Sequence, residues 1–309
     1  MSLSKIVVLG TGGTIAGTAI SAEDNIGYTA AQVGVLGLLE AIPSLRGQGF
    51  ETEQVAQVDS KDMGFDIWLR LAQRCAHWLA QDETLGIVIT HGTDTLEETA
   101  FFLQSVLCPA KPVVLTCAMR PSTAISPDGP QNLLDAMAVA RSPEARGVVA
   151  VCAGKIHGAM DVQKVHPYRL DAFSSGDCGV VGYVEEGKVR RVRAWPQAPV
   201  IKTLATLAAT DHWPRVEIVM SYAGASGAGV RALVDQGVAG IVVAATGNGT
   251  LHRDLEKALR QAQAVGVKVV RTTRCSEGRI LGDAAGGLPE SGGLSPVKAR
   301  IALMLELMA

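Results

Sequence analysis

Neither sign of charge is in surplus in this sequence: 28 Lys and Arg stand against 30 Asp and Glu, a formal net charge of -2. Without a basic field, nothing draws the chain to nucleic acid or to an acidic membrane surface. A small-molecule partner is expected instead. No apolar run approaches the roughly 20 residues of a membrane span. The opening MSLSKIVVLGTGG has one lysine and only four apolar residues in a row before glycine, too few for the core of a signal peptide. Cytoplasmic residence is the expectation. Cys75, Cys108, Cys117, Cys152, Cys178 and Cys275 contain no C-x-x-C and have mostly apolar neighbours, so they read as reduced core thiols. The six histidines contain no H-E-x-x-H, and Cys75-Ala76-His77 reads as part of an amphipathic helix. No metal and no cofactor is expected.

What the sequence does contain is apolar residue in quantity, 48% over 309 residues, enough to bury a large core. Continuous β-branched runs at 5–9, 86–90, 111–117 and 147–152 suit strands buried on both faces. Helical spacing lies between them. Ile67, Leu71, Cys75, Trp78 and Leu79 share one face, as do Leu133, Leu134, Met137 and Val139 in the next such segment. Strands that alternate with helices predict an α/β fold with a mostly parallel sheet. Residues 182–192 read as a hairpin, and 193–213, with Pro196 and Pro199 inside it and Pro214 just beyond, as a linker. A second α/β unit follows, with strands at 216–222, 240–245 and 268–273 and helices near 228–236, 251–265 and 296–308. The expected organisation is a larger N-terminal domain, 1–192, and a smaller C-terminal one, 214–309.

Ligands of open parallel sheets bind outside the carboxyl ends of the strands, where helix N-termini converge. Two segments fall there. GTGGTIAGT, 10–18, follows the first strand, but the loop-like 18–29 stands where a dinucleotide fold needs a helix, so the segment departs from that pattern. ITHGTDTLEETAFFL, 89–103, follows the second. Its T-L-E-E has capping-box spacing, with Thr95 as the cap, leaving Thr93 and Asp94 in the turn. Plain capping explains those residues as readily as function does. The functional reading has backbone N–H groups at the helix start holding an anion and Asp94 meeting an ammonium, which fits an amino acid. Thr14 and Thr93 would then approach from two strand ends. A hydroxyl needs a base to become a nucleophile, and Tyr28 and Lys164 are the candidates, although a lysine taken alone reads as a solvated surface residue.

TGGTIAG (11–17) together with HGTDTLEETA (91–100) resembles the bacterial L-asparaginase family of threonine-dependent amidohydrolases. DSKDM (59–63), AMRPSTAISPDGPQNL (118–133), DVQK (161–164), GNG (247–249) and PVKAR (296–300) extend the resemblance over nearly the whole chain. It implies hydrolysis of L-asparagine to L-aspartate and ammonia. Thr14 matches the primary nucleophile, Tyr28 its assistant on a mobile lid at 18–30, and Lys164 a base of depressed pKa. Thr93 matches the hydroxyl partner of that base, Asp94 the acceptor of the substrate ammonium, and Ser60 a binder of its carboxylate. Asn248 matches a residue lent by the partner subunit of an intimate dimer, which implies shared active sites and a homotetramer built as a pair of dimers.

Two positions depart from the family pattern. Lys61 stands beside the expected ammonium site, where relatives carry Gln, Glu or Ser; it is a candidate substrate contact, expected to point outward or toward the carboxylate. The loop 275–293 is shorter than in members whose neighbouring subunit supplies a glutamate, leaving Glu277 and Asp283 as candidates. A glutaminase-asparaginase of broad specificity and a non-catalytic amino-acid sensor remain the alternatives.

Overall fold

A computed structural model describes residues 4–197, 199–282 and 287–308. It divides into two compact units, 1–200 and 201–309. The fold is the expected α/β type, a large sheet flanked by helices and a smaller unit with a sheet of its own.

In the larger unit the β-branched runs become β1 (Lys5–Gly12), β3 (Thr84–Thr90), β4 (Pro112–Thr116) and β5 (Gly147–Cys152). Every residue from Gly86 to Thr90 and from Pro112 to Thr116 is buried, because helices cover both faces. Not every strand is announced by an apolar run. β2 (Glu51–Val58), ETEQVAQV, lies at the sheet edge with mostly half-exposed residues, so no continuous apolar run announces it. β6 (Lys155–Gly158), β9 (Gly182–Glu185) and β10 (Lys188–Arg191) add an antiparallel extension, the last two being the expected hairpin; β7 (Gln163–Lys164) and β8 (Phe173–Ser174) form a small hairpin of their own. The large sheet runs β10-β9-β6-β5-β4-β3-β1-β2.

α1 (Val35–Glu40) and α4 (Gly129–Arg141) lay Val35, Leu39, Leu133 and Met137 against Ile6, Val8, Val88 and Val149. Alternation along the strands turns their other side chains to the opposite face, where α2 (Phe65–Leu79) and α3 (Leu96–Leu107) pack with Trp68 stacked on Phe102, ring centroids 4.9 Å apart. Of the cysteines, Cys75, Cys117 and Cys152 are buried; Cys178 and Cys275, expected in the core, are exposed. Both lie in polar turns, outside the apolar periodicity that places a thiol inside.

The smaller unit begins in the proline-containing stretch, where a short helix α5 (Leu204–Ala209) is capped by the Thr203 hydroxyl. Its parallel sheet orders β11 (Val216–Met220), β12 (Gly240–Ala245) and β13 (Lys268–Thr273). α6 (Ala228–Asp235) and α7 (Arg253–Ala264) bury Val230, Leu255 and Leu259 against Ile241, Val243 and Val269; α8 (Pro296–Glu306) also packs on this sheet.

Candidate active site

The five parallel strands of the larger unit run in the order β2-β1-β3-β4-β5, so the chain leaves β1 to one side for β2 and returns on the other for β3. A sheet wound this way binds its ligand at the reversal, between the carboxyl ends of β1 and β3. Those two ends carry the two threonine motifs. β1 passes through Gly13 into a single 3-10 turn at Thr14–Ala16, and β3 passes through His91-Gly92-Thr93-Asp94 into α3. On the other side of β1, β2 ends in the turn Ser60–Asp62. Three adjacent strands thus deliver Thr14, Thr93 with Asp94, and Ser60 to one edge of the sheet.

The motifs meet backbone to backbone. Gly13 has φ +81, and a Cβ there would fall on the Cα and N of Gly92; a Cβ on Gly92 would fall on the Ser60 hydroxyl. Thr11 Oγ1 donates to Thr90 O at 2.9 Å, and Gly13 N donates to Val58 O at 3.0 Å, tying β1 to both neighbours at this point. Asp94 N donates to Ser60 Oγ at 3.2 Å, which leaves the Ser60 hydroxyl hydrogen for another acceptor. Thr95 is the N-cap residue of α3, but it makes no capping bond; its hydroxyl donates to Ser60 O at 2.7 Å. The capping-box expectation is corrected: the hydroxyl is taken by the carbonyl of the neighbouring turn and not by the helix's own N–H groups.

Each threonine has a partner. Thr14, 6% exposed, lies 2.7 Å from the Tyr28 phenol oxygen. Tyr28 comes from the expected lid, whose ends close through paired Thr18 and Thr29 and whose turn is held by Asp24 accepting from Ile26 N and Gly27 N. Those two bonds lower the Asp24 carboxyl below its usual value. The loop after β4 clasps the lid: Ser122 Oγ donates to Gly17 O at 2.7 Å, Ala19 N to Thr123 Oγ1 at 2.8 Å and Ile125 N to Ala22 O at 3.1 Å. Thr93, also 6% exposed, accepts from Lys164 Nζ at 2.8 Å, and the same Nζ reaches Asp94 Oδ1 at 2.6 Å. Lys164 comes from β7, with its side chain 17% exposed, whereas the Asp94 carboxylate is half open to solvent.

Beneath the turn runs a buried chain that the sequence reading passed over. The Gly92 carbonyl can only accept, so His91 Nδ1 carries the proton and donates to it at 2.7 Å. His91 Nε2 therefore accepts from the Thr99 hydroxyl at 2.9 Å, and Thr99 Oγ1 accepts from Trp68 Nε1 at 2.9 Å. Burial lowers the His91 pKa to about 4, against the opposing effect of the Gly92 bond, and keeps the ring neutral. Its place inside HGTD was the only signal available, because a histidine's partners cannot be read from spacing.

Lys61 points to its own loop: its ammonium pairs with Asp62 and, at 3.5 Å, with Asp59, and the Asp62 hydrogen bond raises its pKa. Asn248 belongs to the smaller unit, where Nδ2 donates to Leu281 O at 2.9 Å and Oδ1 accepts from Leu281 N at 2.7 Å. Glu277 is exposed. Asp283 lies outside the described residues. A groove of about 1160 Å³ between α4 and the β9–β10 hairpin contains none of the threonines or Lys164, so cavity size alone does not point to this edge of the sheet.

Comparison with known proteins agrees along the whole length. Residues 5–197 match the family model "Asparaginase, N-terminal", and residues 215–309 match "Glutaminase/Asparaginase C-terminal domain". The chain is 39% identical to L-asparaginase 2 of Escherichia coli, over 99% of this chain and 90% of that one. It is 36% identical to the glutaminase-asparaginase of Pseudomonas fluorescens, over 99% and 86%. The crystal structure of a probable cytoplasmic L-asparaginase from Campylobacter jejuni superposes with a TM-score of 0.92 at 41% identity, covering 98% of this chain and 95% of that one.

Proposed function

The chain belongs to the asparaginase family, and we propose that it hydrolyses the side-chain amide of L-asparagine to L-aspartate and ammonia. What carries this reading is the pairing of two threonine hydroxyls with two different proton carriers, Thr14 with Tyr28 and Thr93 with Lys164, at the edge where Gly13 meets Gly92.

In the proposed reaction Thr14 Oγ1 attacks the amide carbon as its proton passes toward the Tyr28 oxygen. Ammonia leaves with that proton, and water then cleaves the acyl-enzyme to release the carboxylate and restore the hydroxyl. Lys164 serves the second hydroxyl, with Nζ 2.8 Å from Thr93 Oγ1 as its proton partner. Asp94 supplies the negative charge for the substrate's α-ammonium, and the unused hydrogen of Ser60 Oγ suits its α-carboxylate. Lys61, neutralised by two aspartates of its own turn, adds little field to that site.

Ammonia release from L-asparagine by wild type and by Thr14→Ala tests the assignment. Near-wild-type turnover in the variant removes Thr14 from the nucleophile's role. The named relatives include both asparaginases and glutaminase-asparaginases. One added methylene is worth only about 1–3 kcal/mol in a pocket, so the ratio of kcat/KM for asparagine and glutamine decides between the narrow and the broad activity. Asparagine binding by calorimetry without ammonia release would instead support a sensor.

We further propose cytoplasmic residence and a homotetramer of paired dimers in which Asn248 acts in the neighbouring subunit's site. Among the described residues no helix is long and apolar enough to cross a membrane. Light scattering on the purified protein reads the assembly directly.

A further inference from the structure

Cys117 and Cys152 take no part in the proposed hydrolysis, and nothing in their spacing along the chain connects them. The fold does. Thr116, the last residue of β4, pairs in parallel register with Val151 of β5, so the residue that follows each of them in the chain lies beside the other. Cys117 and Cys152 are those residues. Their sulfurs lie 3.2 Å apart, and the residues are 1% and 3% exposed.

A polar frame holds the two strand ends in place. Asn132 of α4 donates from Nδ2 to Cys117 O at 2.9 Å and accepts at Oδ1 from Ala153 N at 2.9 Å, joining the residue after one strand to the residue after the other. Asn132 Nδ2 also reaches Asp128 Oδ2 at 3.2 Å, and the Asp128 carboxylate takes Met119 N at 2.9 Å and Arg120 N at 3.0 Å. The two thiols are therefore kept face to face by bonds that do not involve sulfur. Neighbouring strands stand about 4.8 Å apart, inside the roughly 4.4–6.8 Å that a disulfide requires between α-carbons. Closing the bond asks the sulfurs to approach by about 1 Å. The sulfur–sulfur hydrogen bond, burial and Asp128 all raise the Cys117 thiol pKa, with the Lys164 charge opposing them. Burial at 1% and 3% exposure leaves only a small oxidant with access to the pair.

We propose that Cys117 and Cys152 form a redox-modification site, a dithiol that a small peroxide converts to a disulfide, cross-linking β4 to β5 and stabilising the larger unit. One sulfur displaces hydroxide from hydrogen peroxide, becoming a sulfenic acid, and the hydroxide leaves as water with that thiol's proton. The second sulfur attacks the first, the S–S bond forms, and the second hydroxide leaves as water with the remaining thiol proton. Two thiols lose two hydrogens and two electrons, and the peroxide accepts all of them. The bond closes a loop of 35 positions, removing chain entropy from the unfolded state.

The experiment uses the full-length protein, treated briefly with hydrogen peroxide, quenched, and divided between non-reducing peptide mapping and thermal unfolding with and without dithiothreitol. The expected result is a Cys117–Cys152 linked peptide and a Tm higher by about 5–10 °C that dithiothreitol reverses. Cys117→Ala and Cys152→Ala are each compared with themselves before and after peroxide, so that any packing cost cancels; neither should show the rise. Finding both thiols free after peroxide overturns the proposal, as do sulfinic acids formed separately on each, or a linked peptide without a higher Tm.

Discussion

Gly13 and Gly92 face each other across the ends of β1 and β3 with no room for a side chain between them. This contact lets hydroxyls separated by 79 positions in the chain share one edge of the sheet. Each glycine also belongs to one of the two motifs.

Gly13→Ala therefore strikes both motifs at once. It adds a Cβ where Gly92 stands and demands φ +81 of a residue that avoids it. The cost of overpacking and backbone strain together is about 2–4 kcal/mol. Denaturant unfolding should show that loss, and the folded fraction should release ammonia far more slowly than wild type.

Lys164 and Thr93, bonded at 2.8 Å, act in the proposed reaction as one unit. Lys164→Met and Thr93→Val should each lower kcat by about 10²–10⁴-fold. The double variant should be little worse than the poorer single one, because groups that act together are not additive. Multiplicative losses in steady-state kinetics would separate their roles.

Ser122 holds the lid through two bonds to Gly17 O, one from its hydroxyl and one from its backbone N–H, and touches neither threonine in the described contacts. Ser122→Ala removes a bond worth about 1 kcal/mol. The expected outcome is a several-fold fall in kcat/KM with the Tm nearly unchanged, whereas Tyr28→Phe, which removes the Thr14 contact itself, should depress kcat by a much larger factor.

His91 makes stability depend on acid. Its folded pKa of about 4 lies below the ordinary 6.5, so between those values the unfolded chain binds a proton that the folded one refuses. Stability is whole above pH 6.5 and declines as pH falls toward 4, by about 3 kcal/mol over the window. Urea unfolding at a series of pH values should show this slope in wild type and a shallower one in His91→Gln.

The α/β class, the buried strands, the later helices and both threonine motifs were legible in the residues themselves, because hydrophobic period and turn chemistry are local properties. β2 was not, since an edge strand half open to water carries no apolar run. Capping-box spacing at Thr95 was read correctly as a helix start and wrongly as a bond, because the Ser60 carbonyl that takes its hydroxyl comes from a segment 35 residues away. Sequence alone determined which reactive groups this protein possesses. Only the tertiary structure decided which of them meet: Thr14 with Tyr28, Thr93 with Lys164, His91 with Thr99 and Trp68, Cys117 with Cys152. Strand order and register set those distances, and both arise from packing between segments that have no influence on one another until the sheet forms.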